Sequence, residues 1–291
     1  MKYKVWYIVF SLLIILPGLY FLFTSGLKMG IDFTGGALLE YKFQKNINTE
    51  DLKNKISAQG LEVSQINLSA ENTYIIRTKV VEQNKINNLK DYLGKEFGTI
   101  EERRVEFVGP IIGAELKKKA IIAILLASLA IILYISFSFR KIPKPASSFR
   151  FGIAAIAALL HDILVVIGIF AILGKFMNIE IDTLFVTALL TVIGFSVHDT
   201  IVVFDRIREN LTKHMDKKFI DVANLSIVQT LGRSLNTSLT VVFVLFAMLL
   251  FGGETIRWFI IALLVGIISG TYSSIFNATA LLVWWEEKLG H

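Results

Sequence analysis

The chain has 291 residues, of which 54% are apolar and 19% are charged, and its mean hydropathy is +0.62. Ordinary water-soluble domains are less apolar and more charged, so that class is excluded. The chain has no cysteine, which excludes a disulfide scaffold, and its 22 phenylalanines exclude a disordered protein. Lys and Arg number 30 against 24 Asp and Glu, and the position of this basic excess decides what it means.

Six apolar runs are long enough to cross a bilayer core, which takes about 20 helical residues. They cover residues 5–23, 120–139, 151–173, 183–204, 235–251 and 256–285. The first run also fits a secretory signal peptide, but its length favours an uncleaved membrane anchor. The sequence therefore predicts a polytopic α-helical membrane protein with six transmembrane helices. Its segments are the first membrane helix (1–23), a water-exposed domain (24–119) and a five-helix bundle (120–291).

Basic residues fall on alternate connections between these runs. They are Lys2 and Lys4, then Arg140, Lys141, Lys144 and Arg150, then Arg206, Arg208, Lys213, Lys217, Lys218 and Arg233. Because short cytoplasmic loops carry an excess of Lys and Arg, both termini are predicted to be cytoplasmic and residues 24–119 extracytoplasmic. Topology thus explains the positive charge, and nucleic-acid binding loses its support.

The water-exposed segment has the pattern of an independent domain. Strand-like runs and helical runs alternate as strand 36–43, helix 49–59, strands 61–68 and 74–80, helix 82–97 and strand 99–108. This βαββαβ order predicts a ferredoxin-like fold. The segment contains neither His nor Cys, so we expect it to bind a partner or to act as a scaffold rather than to catalyse a reaction.

Ionisable residues inside the spans are the candidate functional residues, because an unpaired charge at bilayer depth is costly. His161 and Asp162 lie in the third span, His198 and Asp199 in the fourth, and Arg233 at the entry to the fifth. Asp199 and Arg233 reach similar depths from opposite chain directions, so they could form an ion pair. A carboxylate whose charged partner moves can bind and release a proton, whereas a static pair would only fix the helix register.

Small and hydroxylated residues surround these positions in the sequence. Ser196, Thr200 and Thr237 add hydroxyls to the fourth and fifth spans, where they could hold water beside the pair. Gly266 and Gly270 form a GxxxG pattern, which predicts that the sixth helix packs closely against this polar cluster. Asp162 and His198 are further candidates for proton handling, although either could simply bind the backbone or a neighbouring helix.

Signatures of other chemistry are absent from the sequence. It has no phosphate-binding glycine loop, no nucleophile elbow and no Cys or His set with metal-ligand spacing. We therefore predict neither an enzyme nor a protein with a cofactor or metal, and we expect any energy input to come from an ion gradient.

Four strings of residues resemble motifs of the SecF family, whose members are the smaller partners of SecD in bacterial protein export. They are GIDFTGG at 30–36, VGPIIGAEL at 108–116, HDTIVVFDRIREN at 198–210 and GTYSSI at 270–275. The first two contain the motif residues Asp32, Gly35, Gly36, Gly109 and Pro110. One departure is His198, which stands where the family commonly has Asn.

The resemblance implies a function that the spacing alone does not. A member of this family pairs with SecD, resembles half of a resistance-nodulation-division transporter, and associates with the SecYEG channel and YajC in the bacterial cytoplasmic membrane. The complex uses the proton-motive force to assist the translocation and release of a preprotein. Asp199 then matches the family's essential transmembrane Asp, and Arg233 its partner.

Two alternatives remain at this point. A small-solute proton antiporter built as a homodimer would have the same buried carboxylates, and a structural adaptor of the translocon would have them as a fixed pair. The coupling ion is also open: a lone carboxylate beside His198 favours H⁺, but Ser196 and Thr200 could help to coordinate Na⁺.

Overall fold

The computed structural model describes residues 1, 3–69, 71–79, 83–140, 142–143 and 146–288. Lys2, Lys141 and Lys144, which entered the orientation argument, lie outside the described residues, as do the predicted strand end Val80 and helix start Glu82. Within the described residues, six helices are long and apolar enough to cross a membrane. The chain divides into two units, residues 1–28 with 122–291 and residues 29–121.

The first membrane helix, α1, is Lys4–Ser25, and it belongs to the larger unit. The smaller unit then contains four β-strands, with one helix between the first and second strands and another between the third and fourth. Its elements are α2 (Ile31–Thr34), β1 (Gly36–Phe43), α3 (Thr49–Ala58), β2 (Val63–Leu68), β3 (Thr73–Thr78), α4 (Gln83–Phe97) and β4 (Ile100–Val108).

The four strands form one antiparallel sheet in the order β2-β3-β1-β4. This order, with the two helices in the βαββαβ sequence, confirms the predicted ferredoxin-like fold. Alternate residues of β1, from Ala37 to Phe43, are buried against the apolar faces of α3 and α4. The side chain of Asn48 accepts a hydrogen bond from the backbone N–H of Glu50 at 2.8 Å, so it caps α3.

The two glycine-rich motifs meet at one junction in this unit. Gly35 and Gly36 have φ of +74° and +135°, which side chains rarely adopt. A Cβ at Gly35 would lie 2.9 Å from the Cα of Pro110, and a Cβ at Gly113 would lie 2.9 Å from the backbone N of Gly35. The motif residues therefore shape the entry into β1 and the exit from β4, and Asp32 lies in α2 beside them.

The remaining helices belong wholly or mainly to the larger unit. They are α5 (Pro110–Ser138), α6 (Ser148–Met177), α7 (Thr183–Lys213), α8 (Phe219–Phe251), α9 (Glu254–Tyr272) and α10 (Ala278–Lys288). Helix α5 begins at Pro110 rather than at residue 120, and α8 begins at Phe219 rather than at residue 235. An apolar run marks only the part of a helix suited to hydrocarbon, and charged residues continue the same helix beyond it.

Helix α6 forms the centre of the membrane bundle, since α1, α7, α9 and α10 all pack against it. Two glycines allow the closest of these approaches. A Cβ at Gly18 on α1 would lie 2.7 Å from the Cα of Gly168 on α6. The helices can pack at this distance because neither residue has a side chain there.

The last membrane span is interrupted by a π-helical turn, Ser273–Asn277, between α9 and α10. The sequence predicted a single uninterrupted span at 256–285. A π turn is a local widening of the helix that leaves the apolar pattern nearly unchanged, so hydropathy could not reveal it.

Candidate functional site

Asp162 lies in the middle of α6, and its carboxylate is fully buried. Three serine hydroxyls donate to it, Ser196 at 2.5 Å, Ser273 at 2.7 Å and Ser269 at 3.0 Å, and Nδ1 of His161 lies 2.9 Å from its Oδ1. An ionised carboxylate offers about four lone-pair sites. With His161 as a donor, those sites are filled, and Asp162 joins α6 to α7 and to the last span.

The GxxxG glycines allow this cluster to form. A Cβ at Gly266 would lie 2.1 Å from Cγ2 of Val192 on α7. A Cβ at Gly270 would lie 3.3 Å from the Cβ of Ser196 and 3.5 Å from Oδ2 of Asp162. The small residues thus bring α9 close enough for Ser269 to reach the carboxylate.

Asp199 lies on α7 and is also buried, with 2% of its surface exposed, but its surroundings differ. The hydroxyl of Ser238 on α8 donates to its Oδ2 at 3.4 Å, which is long for a hydrogen bond. Among the described residues, no cation forms an ion pair with it. The buried hydroxyl of Ser234 on α8 also faces this carboxylate, without forming a regular hydrogen bond to it. Asp199 is therefore a buried carboxylate that is held only weakly.

Thr271 of α9 extends this second site. Its hydroxyl lies 2.7 Å from Oγ of Ser238 and 2.8 Å from the backbone carbonyl of Ile267. Next to Asp199, the hydroxyl of Thr200 donates to Ser274 at 2.9 Å, and Ser274 donates to the backbone carbonyl of Ser196 at 3.0 Å. The last span therefore contacts both carboxylate sites through hydroxyls.

The expected pair between Asp199 and Arg233 does not form in the described part of the chain. The face of α8 that turns inward contains hydroxylated residues four positions apart, namely Ser226, Thr230, Ser234 and Ser238, all of them buried. Arg233 precedes Ser234 by one residue, and adjacent helical residues point about 100° apart. Its side chain therefore lies on the exposed side of α8.

Arg233 instead borders a charged groove of about 560 Å³ with Asp205, Arg206, Arg208 and Glu209. Thr237 shares its exposed face, and the Thr237 hydroxyl donates to the Arg233 carbonyl at 3.0 Å rather than surrounding Asp199. The pair was predicted because the two residues reach similar depths in the membrane, and that argument did not consider the direction in which each side chain points from its helix axis. The four-residue spacing of the hydroxyls was the signal that could have supplied it.

The remaining predicted residues are not part of the buried hydroxyl clusters. His198 is exposed, although Asp199 beside it is buried. The motif residues Asp32, Gly35, Gly36, Gly109 and Pro110 belong to the smaller unit, where they form the strand junction. The sequence did not single out Ser269, and Ser273 and Ser274 entered only as part of the GTYSSI motif at 270–275.

Comparison with known proteins identifies the family. Residues 88–288 match the family described as protein export membrane protein SecD/SecF, C-terminal, and residues 20–47 match the SecD/SecF GG motif. The chain belongs to the SecD/SecF family. The resemblance inferred from four short motifs is therefore confirmed over most of the chain.

Relatives in this family span nearly the whole chain. The chain is 50% identical to protein translocase subunit SecF of Thermobaculum terrenum, over 96% of this chain and 90% of that one. It is 40% identical to SecF of Vibrio alginolyticus, over 97% and 86%. It is 36% identical to protein translocase subunit SecDF of Bacillus subtilis, over 97% of this chain but 37% of that one.

Solved SecDF structures have the same fold over nearly all of this chain. SecDF from Thermus thermophilus, a translocon-associated membrane protein, matches with a TM-score of 0.86 and 32% identity, over 98% of this chain and 38% of that one. A super-membrane-facing form of SecDF matches with a TM-score of 0.68 and 31% identity. This SecD/SecF-family chain thus spans little more than a third of a SecDF chain. It is a multi-pass bacterial membrane protein and an accessory subunit of Sec protein translocation.

Proposed function

We propose that this subunit pairs with SecD and uses the proton-motive force to assist preprotein translocation, through a proton that binds to and leaves Asp199. The observation that carries the proposal is the contrast between two buried carboxylates. The carboxylate of Asp162 accepts hydrogen bonds at all its lone-pair sites. Asp199 has a long hydrogen bond from Ser238 and no ion pair with a cation among the described residues. A carboxylate held so weakly at membrane depth is expected to change its protonation state readily.

Arg233 supplies the second half of this mechanism. It lies on α8 between the inward-facing hydroxyls and the charged groove, without an ion pair to Asp199 in this arrangement. A rotation of α8 that brought the guanidinium toward Asp199 would favour the ionised carboxylate and release its proton. The reverse rotation would allow the proton to bind again. Protonation and helix movement are thereby linked.

Pairing with SecD is supported by two surfaces of the membrane bundle. Helix α5 exposes a long apolar face that includes Leu125, Leu129 and Leu133, and α8 exposes Phe243 and Val244. Lipid or another membrane subunit can cover such faces. The exposed guanidinium of Arg233 on α8 needs polar surroundings that lipid chains do not supply, so a second subunit fits this helix better.

The remaining parts of the proposal follow from topology and family. We place both termini in the cytoplasm and the ferredoxin-like domain on the outer face, because the basic loops alternate as described above. The domain then faces the emerging preprotein, and the membrane bundle lies among lipid beside SecD, with SecYEG and YajC as further partners. Relatives named as protein translocase subunits favour this function over a small-solute antiporter.

Replacing Asp199 with Asn tests the proposal. The variant is compared with Asp216→Asn, which removes an exposed carboxylate from the turn between α7 and α8, away from the groove that Arg233 borders. Export is measured in SecD-containing vesicles at matched abundance, with and without an imposed proton gradient. We expect Asp199→Asn to abolish the stimulation and Asp216→Asn to retain it. If Asp199→Asn assembles and keeps full stimulation, the subunit is a structural adaptor or the coupling proton binds elsewhere.

A further inference from the structure

The hydroxyl of Thr271 occupies a position that the proposed function does not yet explain. It lies 2.7 Å from Oγ of Ser238 and 2.8 Å from the carbonyl of Ile267, and both are within hydrogen-bond distance. A hydroxyl has one proton, so it donates to one of these two acceptors at a time. The structure therefore shows a site with two alternative hydrogen-bond arrangements.

We propose that Thr271 is a positioning residue that transmits the protonation state of Asp199 to the last membrane span. This inference rests on the proposed role of Asp199. When Asp199 is ionised, Ser238 donates to the carboxylate and Thr271 donates to Ser238. When Asp199 is protonated, its O–H donates to Ser238, Ser238 donates to Thr271, and Thr271 donates to the carbonyl of Ile267. No proton enters or leaves the two hydroxyls, because each only changes its acceptor.

The position of Thr271 in the last span gives this change a mechanical consequence. Thr271 lies between Ser269 and Ser273, which both donate to Asp162 on α6. It also lies one residue before the end of α9, where the π turn Ser273–Asn277 begins. π turns interrupt the regular hydrogen bonding of an α-helix and are frequent at functional sites. A shift in the Thr271 hydrogen bond thus acts beside the irregular π turn and between the two serines that bind Asp162.

Further contacts of the π turn, and of Tyr272 just before it, reach the first membrane helix. Nδ2 of Asn277 donates to Ser11 at 2.5 Å, and the hydroxyl of Tyr272 donates to the carbonyl of Tyr7 at 3.0 Å. With Ser273 on α6 and Ser274 on α7, this short segment is bonded to three other helices. It is therefore a suitable element for converting a change beside Asp199 into a movement of the bundle.

Other titratable groups near this arrangement are few among the described residues. His198 lies next to Asp199 on α7, His161 and Asp162 lie on α6, and Arg233 lies on α8. Near Asp199, α9 and the π turn contribute hydroxyl groups rather than charges. Since the last span has no charged side chain at this point, an effect of Thr271 substitution on export reflects hydrogen bonding and not a change in the charge of the span.

Two substitutions at residue 271 separate hydrogen bonding from packing. Thr271→Val keeps the shape and removes the hydroxyl, whereas Thr271→Ser keeps the hydroxyl and removes a methyl group. Thr279→Val is the matched control, because Thr279 is fully buried in the same span and its hydroxyl has no hydrogen-bond partner among the described residues. Gradient-stimulated export is measured for each of these single variants, and for Asp199→Asn in parallel, in SecD-containing vesicles at matched abundance.

We expect gradient-stimulated export to fall about tenfold in Thr271→Val, because the substitution removes one hydrogen bond from a network that includes a charged group. Thr271→Ser and Thr279→Val should retain it. The inference is overturned if Thr271→Val keeps full stimulation, or if Thr271→Ser loses as much stimulation as Thr271→Val, since packing of the methyl group would then explain the residue. If Asp199→Asn itself keeps the stimulation, the proposed role of Asp199 fails first.

Discussion

Asp162 and Asp199 are both buried aspartates in neighbouring membrane helices, but their surroundings differ in kind. Asp162 is bound by donors from its own helix, α7 and the last span, at distances of 3.0 Å or less. Asp199 receives a 3.4 Å contact from Ser238. A fully bound carboxylate holds helices together, whereas a weakly bound one can change its protonation state. Burial alone therefore does not identify the functional group, and the donors around it must be counted.

The largest expected effect comes from removing the well-bound carboxylate. Asp162→Ala leaves three serine hydroxyls and His161 without their common acceptor in the core. Because each unsatisfied buried group costs about 1–3 kcal/mol, we expect a loss of about 3 kcal/mol or more and much lower membrane abundance. Asp199→Ala should retain most of the abundance. Thermal unfolding in detergent measures both variants, and equal losses would remove the distinction between the two sites.

The next effect concerns the close approach that builds the Asp162 site. Gly266→Ala would place a Cβ 2.1 Å from the side chain of Val192, so the helices must separate. Such overpacking typically costs about 1–3 kcal/mol. Gly194→Ala is the control, because no atom lies within 4 Å of its Cβ position. We expect a lower unfolding temperature for the first variant alone; equal behaviour would mean that this contact does not limit packing.

Much of the fold follows from the sequence, because hydrophobic length and strand alternation are local properties. The six spans and the βαββαβ order were predicted from them, and the structure has both. Helix ends were wrong where charged residues continued a helix, as at Phe219. Arg233 was placed beside Asp199 because depth was considered without rotation. The π turn and the Asp162 donor set depend on contacts between distant segments, which local patterns do not contain.

A smaller effect is expected from removing one donor of the Asp162 cluster. Ser273→Ala deletes a hydroxyl that lies 2.7 Å from the carboxylate, and should cost about 1–3 kcal/mol of unfolding free energy. Ser136→Ala is the comparison, since that exposed hydroxyl donates only to the backbone carbonyl of Ile132. The same thermal measurement applies. If Ser273→Ala is as stable as Ser136→Ala, the cluster is not a main support of the bundle.

The smallest effect is expected at His198, whose side chain is exposed while Asp199 faces inward. His198→Asn removes a titratable group without disturbing the hydroxyls around Asp199. We expect unchanged abundance and gradient-stimulated export within about twofold, since surface substitutions typically change stability by less than about 0.5 kcal/mol. A complete loss of stimulation would show that the imidazole takes part in proton transfer, and that Asp199 does not act alone.

We propose that Asp199, and not Asp162, binds and releases the proton. Infrared difference spectroscopy of the SecD-containing complex, with ¹³C-labelled aspartate, measures this directly as the carbonyl stretch of a protonated carboxyl group. We predict that the band grows as the pH is lowered, disappears in Asp199→Asn and persists in Asp216→Asn. A band that persists unchanged in Asp199→Asn would contradict the claim.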